Sequence, residues 1–192
     1  MPTLTVVAGP NGSGKSTLTQ SADFDGLERL LDPDALARDL APENPSAAAV
    51  AAGRQALKLT EEYLNARVSF AVETTLAGHR IIALMREAKE RGYGVNLAFV
   101  ALNSPEKNIS RIRDRVARGG HFIPDLDVRR RYARSFENLP EALRLADLAL
   151  LFDNSGNDAR PVLIAQGGKI VWQAKLLPAW LSGIPPNIVT AS

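Results

Sequence analysis

Residues 3–17 read TLTVVAGPNGSGKST, and no other stretch restricts the chain as much. A β-branched run leads into Gly9-Pro10-Asn11-Gly12-Ser13-Gly14-Lys15-Ser16, which satisfies G-x-x-x-x-G-K-[ST] at every fixed position, with Thr17 following. Glycines at 12 and 14 let the backbone bend so that successive N–H groups point at phosphate oxygens. A helix opening beyond Gly14 adds its positive dipole end to the same spot. Lys15 has the reach for β and γ phosphates, and the Ser16 hydroxyl suits Mg²⁺. Residues 9–17 are therefore expected to cradle a nucleotide, with ATP and Mg²⁺ as cofactors.

The rest of the chain repeats the strand-then-helix order that this loop requires. Strands are expected at Thr3–Ala8, 27–31, 69–73, 95–102 and 149–152. Helices are expected at 14–21, from Pro33 to about 40, 45–67, 77–91, 105–118 and 125–138. Asp32-Pro33, Asn44-Pro45 and Ser104-Pro105 supply cap-then-proline starts. Gly167-Gly168 between 162–165 and 169–172 marks a C-terminal hairpin. The alternation predicts an α/β fold: a three-layer, doubly wound, mostly parallel sheet of P-loop NTPase or kinase type. At 192 residues it is expected to be a single domain, 1–192, with an Arg-rich lid at 117–135 and a loose tail at 183–192.

Ligands of such sheets sit outside the strand C-termini, so the chemistry is expected at those positions. After the second strand, Asp32 is placed as an N-cap and Asp34 aims at the cleft as a base for an acceptor. After the third strand, Glu73 and Thr74 suit the acceptor, and Glu73 also suits Mg²⁺. LALLFDNSG superficially resembles an apolar run ending in a metal-binding Asp, but its turn formers argue against that role for Asp153. Asn154 is assigned to nucleotide contact. Between 111 and 134 lie eight Arg and three Asp, interrupted by Gly119-Gly120 and Ile123-Pro124. Some of these arginines read as a solvated helix face with local pairs. Arg rather than Lys throughout favours forked contacts to phosphate for at least two of them.

GPNGSGKST, DPDALARDL, AVETTLAG, LNSPEKNISRIRDRV and RGGHFIP followed by VRRRYARS together resemble the zeta-toxin-like P-loop kinases, over roughly residues 3–153. The resemblance implies transfer of the ATP γ-phosphate to a hydroxyl of a small molecule, a nucleotide-sugar (UDP-N-acetylglucosamine) in zeta toxins. It implies Asp34 as catalytic base, with Lys15, Arg118 and one of Arg130 or Arg131 on the transferring phosphate. It also implies Glu73 as an organising carboxylate and Ser110 in the place of a substrate-binding Thr. Zeta toxins carry chain ahead of their first strand that packs on an antitoxin. Here the strand begins at Thr3, so an antitoxin partner is possible but not supported by the short N-terminus.

Other classes fare worse. A guanine-reading N-K-x-D is absent, which argues against a GTPase switch. A nucleic-acid 5′-end or RNA kinase would want a basic track interleaved with aromatics, and aromatics make up 6% of the chain. A non-catalytic ATP-binding module is the third alternative. With no Cys, two His, no signal-peptide pattern and no long apolar run, the chain is expected to be cytoplasmic, away from membranes and without zinc chemistry.

Overall fold

The structure is a computed structural model and describes residues 1–182. The expected tail, 183–192, lies outside the described residues. Seven strands form one sheet: β1 (Thr3–Ala8), β2 (Leu30–Leu31), β3 (Phe70–Thr74), β4 (Gly94–Ala101), β5 (Leu148–Asp153), β6 (Arg160–Gln166) and β7 (Lys169–Gln173), in the order β2-β3-β1-β4-β5-β6-β7. The first five are parallel and the last two add antiparallel, as the expected hairpin. The helices are α1 (Lys15–Ser21), α2 (Pro33–Leu40), α3 (Pro45–Ala66), α4 (His79–Glu90), α5 (Pro105–Val116) and α6 (Asp125–Leu145). No described helix is long and apolar enough to cross a membrane.

β4 shows why its sequence is almost wholly apolar. Leu97 and Phe99 point into the main core beneath α4 and α6, while Ala98 and Val100 meet Leu18 of α1 on the other face. A strand covered on both sides has no polar face to display. β1 lies between β3 and β4, so the phosphate loop emerges at the centre of the sheet's C-terminal edge.

Two elements differ from the sequence expectation. Residues 27–29 form a single 3₁₀ turn after Gly26, leaving only Leu30–Leu31 as strand. α6 runs through Pro140 to Leu145 instead of stopping near 138. A proline in a helix costs about 3 kcal/mol. Burial of Leu139 and Leu143 returns about 1.5–3 kcal/mol each, so the helix continues.

Candidate phosphoryl-transfer site

The loop between β1 and α1 is fixed by backbone geometry that only glycine adopts at low cost. Gly9 has φ 145°, and a Cβ there would lie 2.1 Å from the Val100 carbonyl oxygen. Gly14 has φ 102°, and a Cβ there would lie 2.3 Å from Asn154 Nδ2. Side-chain amides from two neighbouring segments fasten the loop from outside. Asn154 Nδ2 donates to the Ser13 carbonyl at 2.8 Å, and Asn108 Nδ2 on α5 donates to the Asn11 carbonyl at 2.6 Å. Asn154, expected at the nucleotide, spends its amide on securing the cradle, while its residue still lines the cleft.

Lys15 is buried beside this loop. Its Nζ donates to the Pro10 carbonyl at 3.3 Å and stands 4.0 Å from Glu73. Burial pulls the Lys15 ammonium below its ordinary range and pushes the Glu73 carboxyl above its own; the two opposite charges resist both shifts. The Ser16 hydroxyl donates to both Glu73 oxygens, at 3.2 and 3.3 Å. Glu73 stands there because β3 pairs with β1, Val7 opposite Glu73. A hydroxyl and a carboxylate meeting at the mouth of a phosphate cradle are the oxygen donors that Mg²⁺ accepts.

The loop after Glu73 is held from above. Leu76 is wholly buried at φ 61°, a conformation uncommon for leucine. Thr74 and Thr75 hydroxyls accept from the Leu76 and Ala77 amides, while Ser135 and Asn138 of α6 donate to the Thr75 and Leu76 carbonyls. Thr74 thus spends its hydroxyl locally, and its carbonyl accepts from the Gly9 amide at 3.2 Å.

Two polar cavities meet at these residues. The larger, about 400 Å³, is the phosphate cleft, walled by the loop from Asn11 through Thr17 and by Arg111, Arg115 and Arg118. The smaller, about 200 Å³, is a chamber bounded by Asn11, Lys15, Asp32, Asp34, Glu73 and Arg131. Asp32 caps α2 as expected, accepting from the Asp34 amide at 2.9 Å, and so aims Asp34 into the chamber.

The arginines divide into two groups. Arg113 pairs with Asp125, Arg129 with Glu106 and Arg130 with Asp127, all on the exposed side. Arg111, Arg115, Arg118 and Arg131 face the cleft and chamber. Arg131 Nη1 donates to Asn11 Oδ1 at 3.3 Å, and Arg118 Nε to the Asp114 carbonyl at 3.1 Å. Of the two alternatives on α6, Arg131 is at the site. Arg130 is turned away, because one residue along a helix is a rotation of about 100°. Ser110 is likewise displaced: it is exposed and sits with Glu106, Arg113 and Arg129, away from the phosphate loop.

Asn108, Arg111 and Arg115 went unassigned in the sequence. Their spacing with Arg118 was the available signal, since 108, 111, 115 and 118 share one helical stripe. Asp153, for its part, is structural. Its buried carboxylate accepts from the Ser155 hydroxyl at 2.6 Å, Arg160 at 3.2 Å and the Trp180 indole at 3.3 Å. Burial alone would raise this carboxyl, and those donors hold it below its ordinary range.

This geometry defines a P-loop α/β protein. Residues 4–139 match the AAA domain family AAA_33, and the chain belongs to that family. An uncharacterized protein of Haemophilus influenzae is 42% identical over 124 residues, covering 65% of this chain and 88% of that one. Among solved structures, the AvrRxo1-ORF1:-ORF2 complex with ATP superposes with a TM-score of 0.69 at 17% identity, over 88% of this chain and 60% of that one. A chain from the PezAT chromosomal toxin–antitoxin system of Streptococcus pneumoniae gives 0.63 at 17% identity, over 85% and 72%. These likenesses establish the α/β fold with its mostly parallel seven-stranded sheet.

Proposed function

We propose that this protein is an ATP- and Mg²⁺-dependent kinase of the zeta-toxin-like kind, which transfers the γ-phosphoryl group to a hydroxyl of a small molecule. One observation carries the reading: Asp34, Lys15 and Arg131 converge on a single chamber of about 200 Å³ that opens directly onto the phosphate cleft. A module that only binds nucleotide has no use for an exposed carboxylate at that point.

In the proposed reaction the acceptor oxygen forms a bond to the γ-phosphorus as the bond from that phosphorus to the β–γ bridging oxygen breaks. The acceptor proton passes to the Asp34 carboxylate, and ADP leaves. Lys15 and the loop amides hold the donor, while Arg118 and Arg131 place positive charge on the moving group. Ser16 and Glu73 would hold Mg²⁺, which would supply further positive charge to the phosphate oxygens. Ile109, Ile112, Ile123 and Val128 form an apolar cluster separate from the main core. Residues 117–135, which pack through Ile123 and Val128 on Ile109 and Ile112 of α5, can therefore close over the site as a lid and exclude water. Arg113, Arg129 and Arg130 are satisfied by acidic partners, which leaves a poor track for nucleic acid.

ADP formation should be slow with ATP alone and rise severalfold on adding a small-molecule extract. A rate indifferent to the extract favours an ATPase. Arg131→Ala should lower the extract-dependent rate by about 10- to 100-fold, the worth of one charge-assisted hydrogen bond of about 1.5–3 kcal/mol. Arg130→Ala should change that rate by less than about 3-fold, because an exposed i,i+3 pair contributes at most about 0.5 kcal/mol.

A further inference from the structure

β3 is an interior strand of the sheet, yet Val72 near its end is only half-buried. The cause is a gap between two helices. α3 packs on α2 and α4 packs on α6, and between α3 and α4 runs a groove of about 430 Å³. Leu31, Leu57, Val72 and Leu84 give it an apolar lining, with Thr60 and Arg80 beside them. Glu61 of α3 and Glu87 of α4 line its far end, bridged by Arg91 at 3.3 and 2.5 Å. At the near end the groove shares Pro33, Glu73 and Thr74 with the transfer chamber. Two of its wall positions are glycines with nothing filling the space above them. A Cβ at Gly53, within α3, or at Gly78, ahead of α4, would meet no atom within 4 Å. Glycine inside a helix is disfavoured relative to any ordinary residue, and Gly53 has no backbone conformation that demands it.

We infer that this groove binds the apolar body of the phosphate acceptor, so that the substrate is an amphipathic alcohol whose hydroxyl emerges beside Glu73 and enters the chamber of Asp34. The inference rests on the kinase reading above. The volume lies in the range of small-molecule sites, and a mostly apolar lining with a few polar groups, Glu73 and Thr74 among them at the chamber end, is how such sites orient a ligand. Gly53 keeps α3 thin where the ligand lies, at a cost in helix stability. The bond changes are those of the proposed transfer, with the emerging hydroxyl as acceptor.

The test uses the full chain with Gly53→Leu and, from the opposite wall, Gly78→Val. Gly53→Leu should raise the unfolding temperature by about 2–4 °C, the shift that about 1 kcal/mol gives a chain of this size. ATP affinity should be unchanged in both variants. In wild type, 4-phenylbutan-1-ol should shift the methyl resonances of Leu57, Val72 and Leu84 saturably, and either variant should abolish those shifts. With γ-labelled ATP, label should enter butanol-soluble alcohols of an extract, at least 10-fold more slowly in Gly53→Leu. If label enters UDP-N-acetylglucosamine or water-soluble hydroxyls at a rate Gly53→Leu leaves unchanged, the groove assignment is overturned and the kinase reading stands. If label appears only as inorganic phosphate in every arm, the kinase reading falls and the acceptor site with it. Methyl shifts that are absent in wild type, or persist in both variants, also overturn the groove assignment.

Discussion

Lys15→Met is expected to reduce ATP-dependent transfer by on the order of 10³, or about 4 kcal/mol of transition-state stabilisation. The ammonium is buried between the Pro10 carbonyl and Glu73, so it stands fixed and poorly hydrated where the donor phosphates lie. A preorganised charge of that kind acts without further reorganisation as charge develops in the transition state. Methionine keeps most of the stem's volume and removes only the charge. Its effect on stability should be small, because Glu73, already pushed up by burial, can take a proton when its counter-charge is lost. Lys15→Arg should fail nearly as badly, since a planar guanidinium does not fit a slot that leaves the lysine 8% exposed. Steady-state kinetics with ATP as varied substrate, beside a thermal melt, separates the two effects. Retention of more than a tenth of wild-type transfer by Lys15→Met contradicts its assignment.

Asp34→Asn is expected to cost about 10²–10⁴ in transfer while leaving the affinity for ATP unchanged. The carboxylate borders both polar cavities but belongs to α2, and the Asp32 cap fixes where it points. Asparagine preserves shape and hydrogen bonding and removes the proton acceptor. The predicted signature is a fall in kcat with little change in KM for ATP, together with loss of the stimulation of ADP formation by acceptor. An equal loss in Asp32→Ala, which removes the acceptor for the Asp34 amide, would point instead to a damaged α2 cap. Comparison of the two variants therefore separates chemistry from positioning.

The phosphate loop and the parallel order were legible because both are local. Glycines, a lysine and a hydroxyl at fixed spacing can do little else, and each strand and helix carries its own period. Asp32 as cap and Asp34 as the pointing carboxylate followed from the cap-then-proline rule. The arginines were harder. Arg130 and Arg131 are adjacent and chemically identical, and only the helix rotation decides which meets Asn11 and which meets Asp127. The Asp127–Arg130 spacing of three was a readable hint that Arg130 is satisfied locally. Ser110 was misplaced for the same reason, two positions from Asn108, which does reach the loop. α6 was cut short at Pro140 because the rule for proline in helices is local, and the leucines that outweigh it bury against distant strands. The groove beside β3 could not be read at all. It exists because α3 packs mainly on α2 and α4 on α6, and no residue pattern records the gap left between two such helices.

The most direct test of the central claim follows the γ-phosphoryl group itself. In a single turnover with γ-labelled ATP, enzyme in excess and an acceptor extract present, label should leave ATP and appear in an organic phosphomonoester. That product should be absent with Asp34→Asn, while ATP stays bound. Label recovered wholly as inorganic phosphate, at equal rates in wild type and Asp34→Asn, would contradict the account.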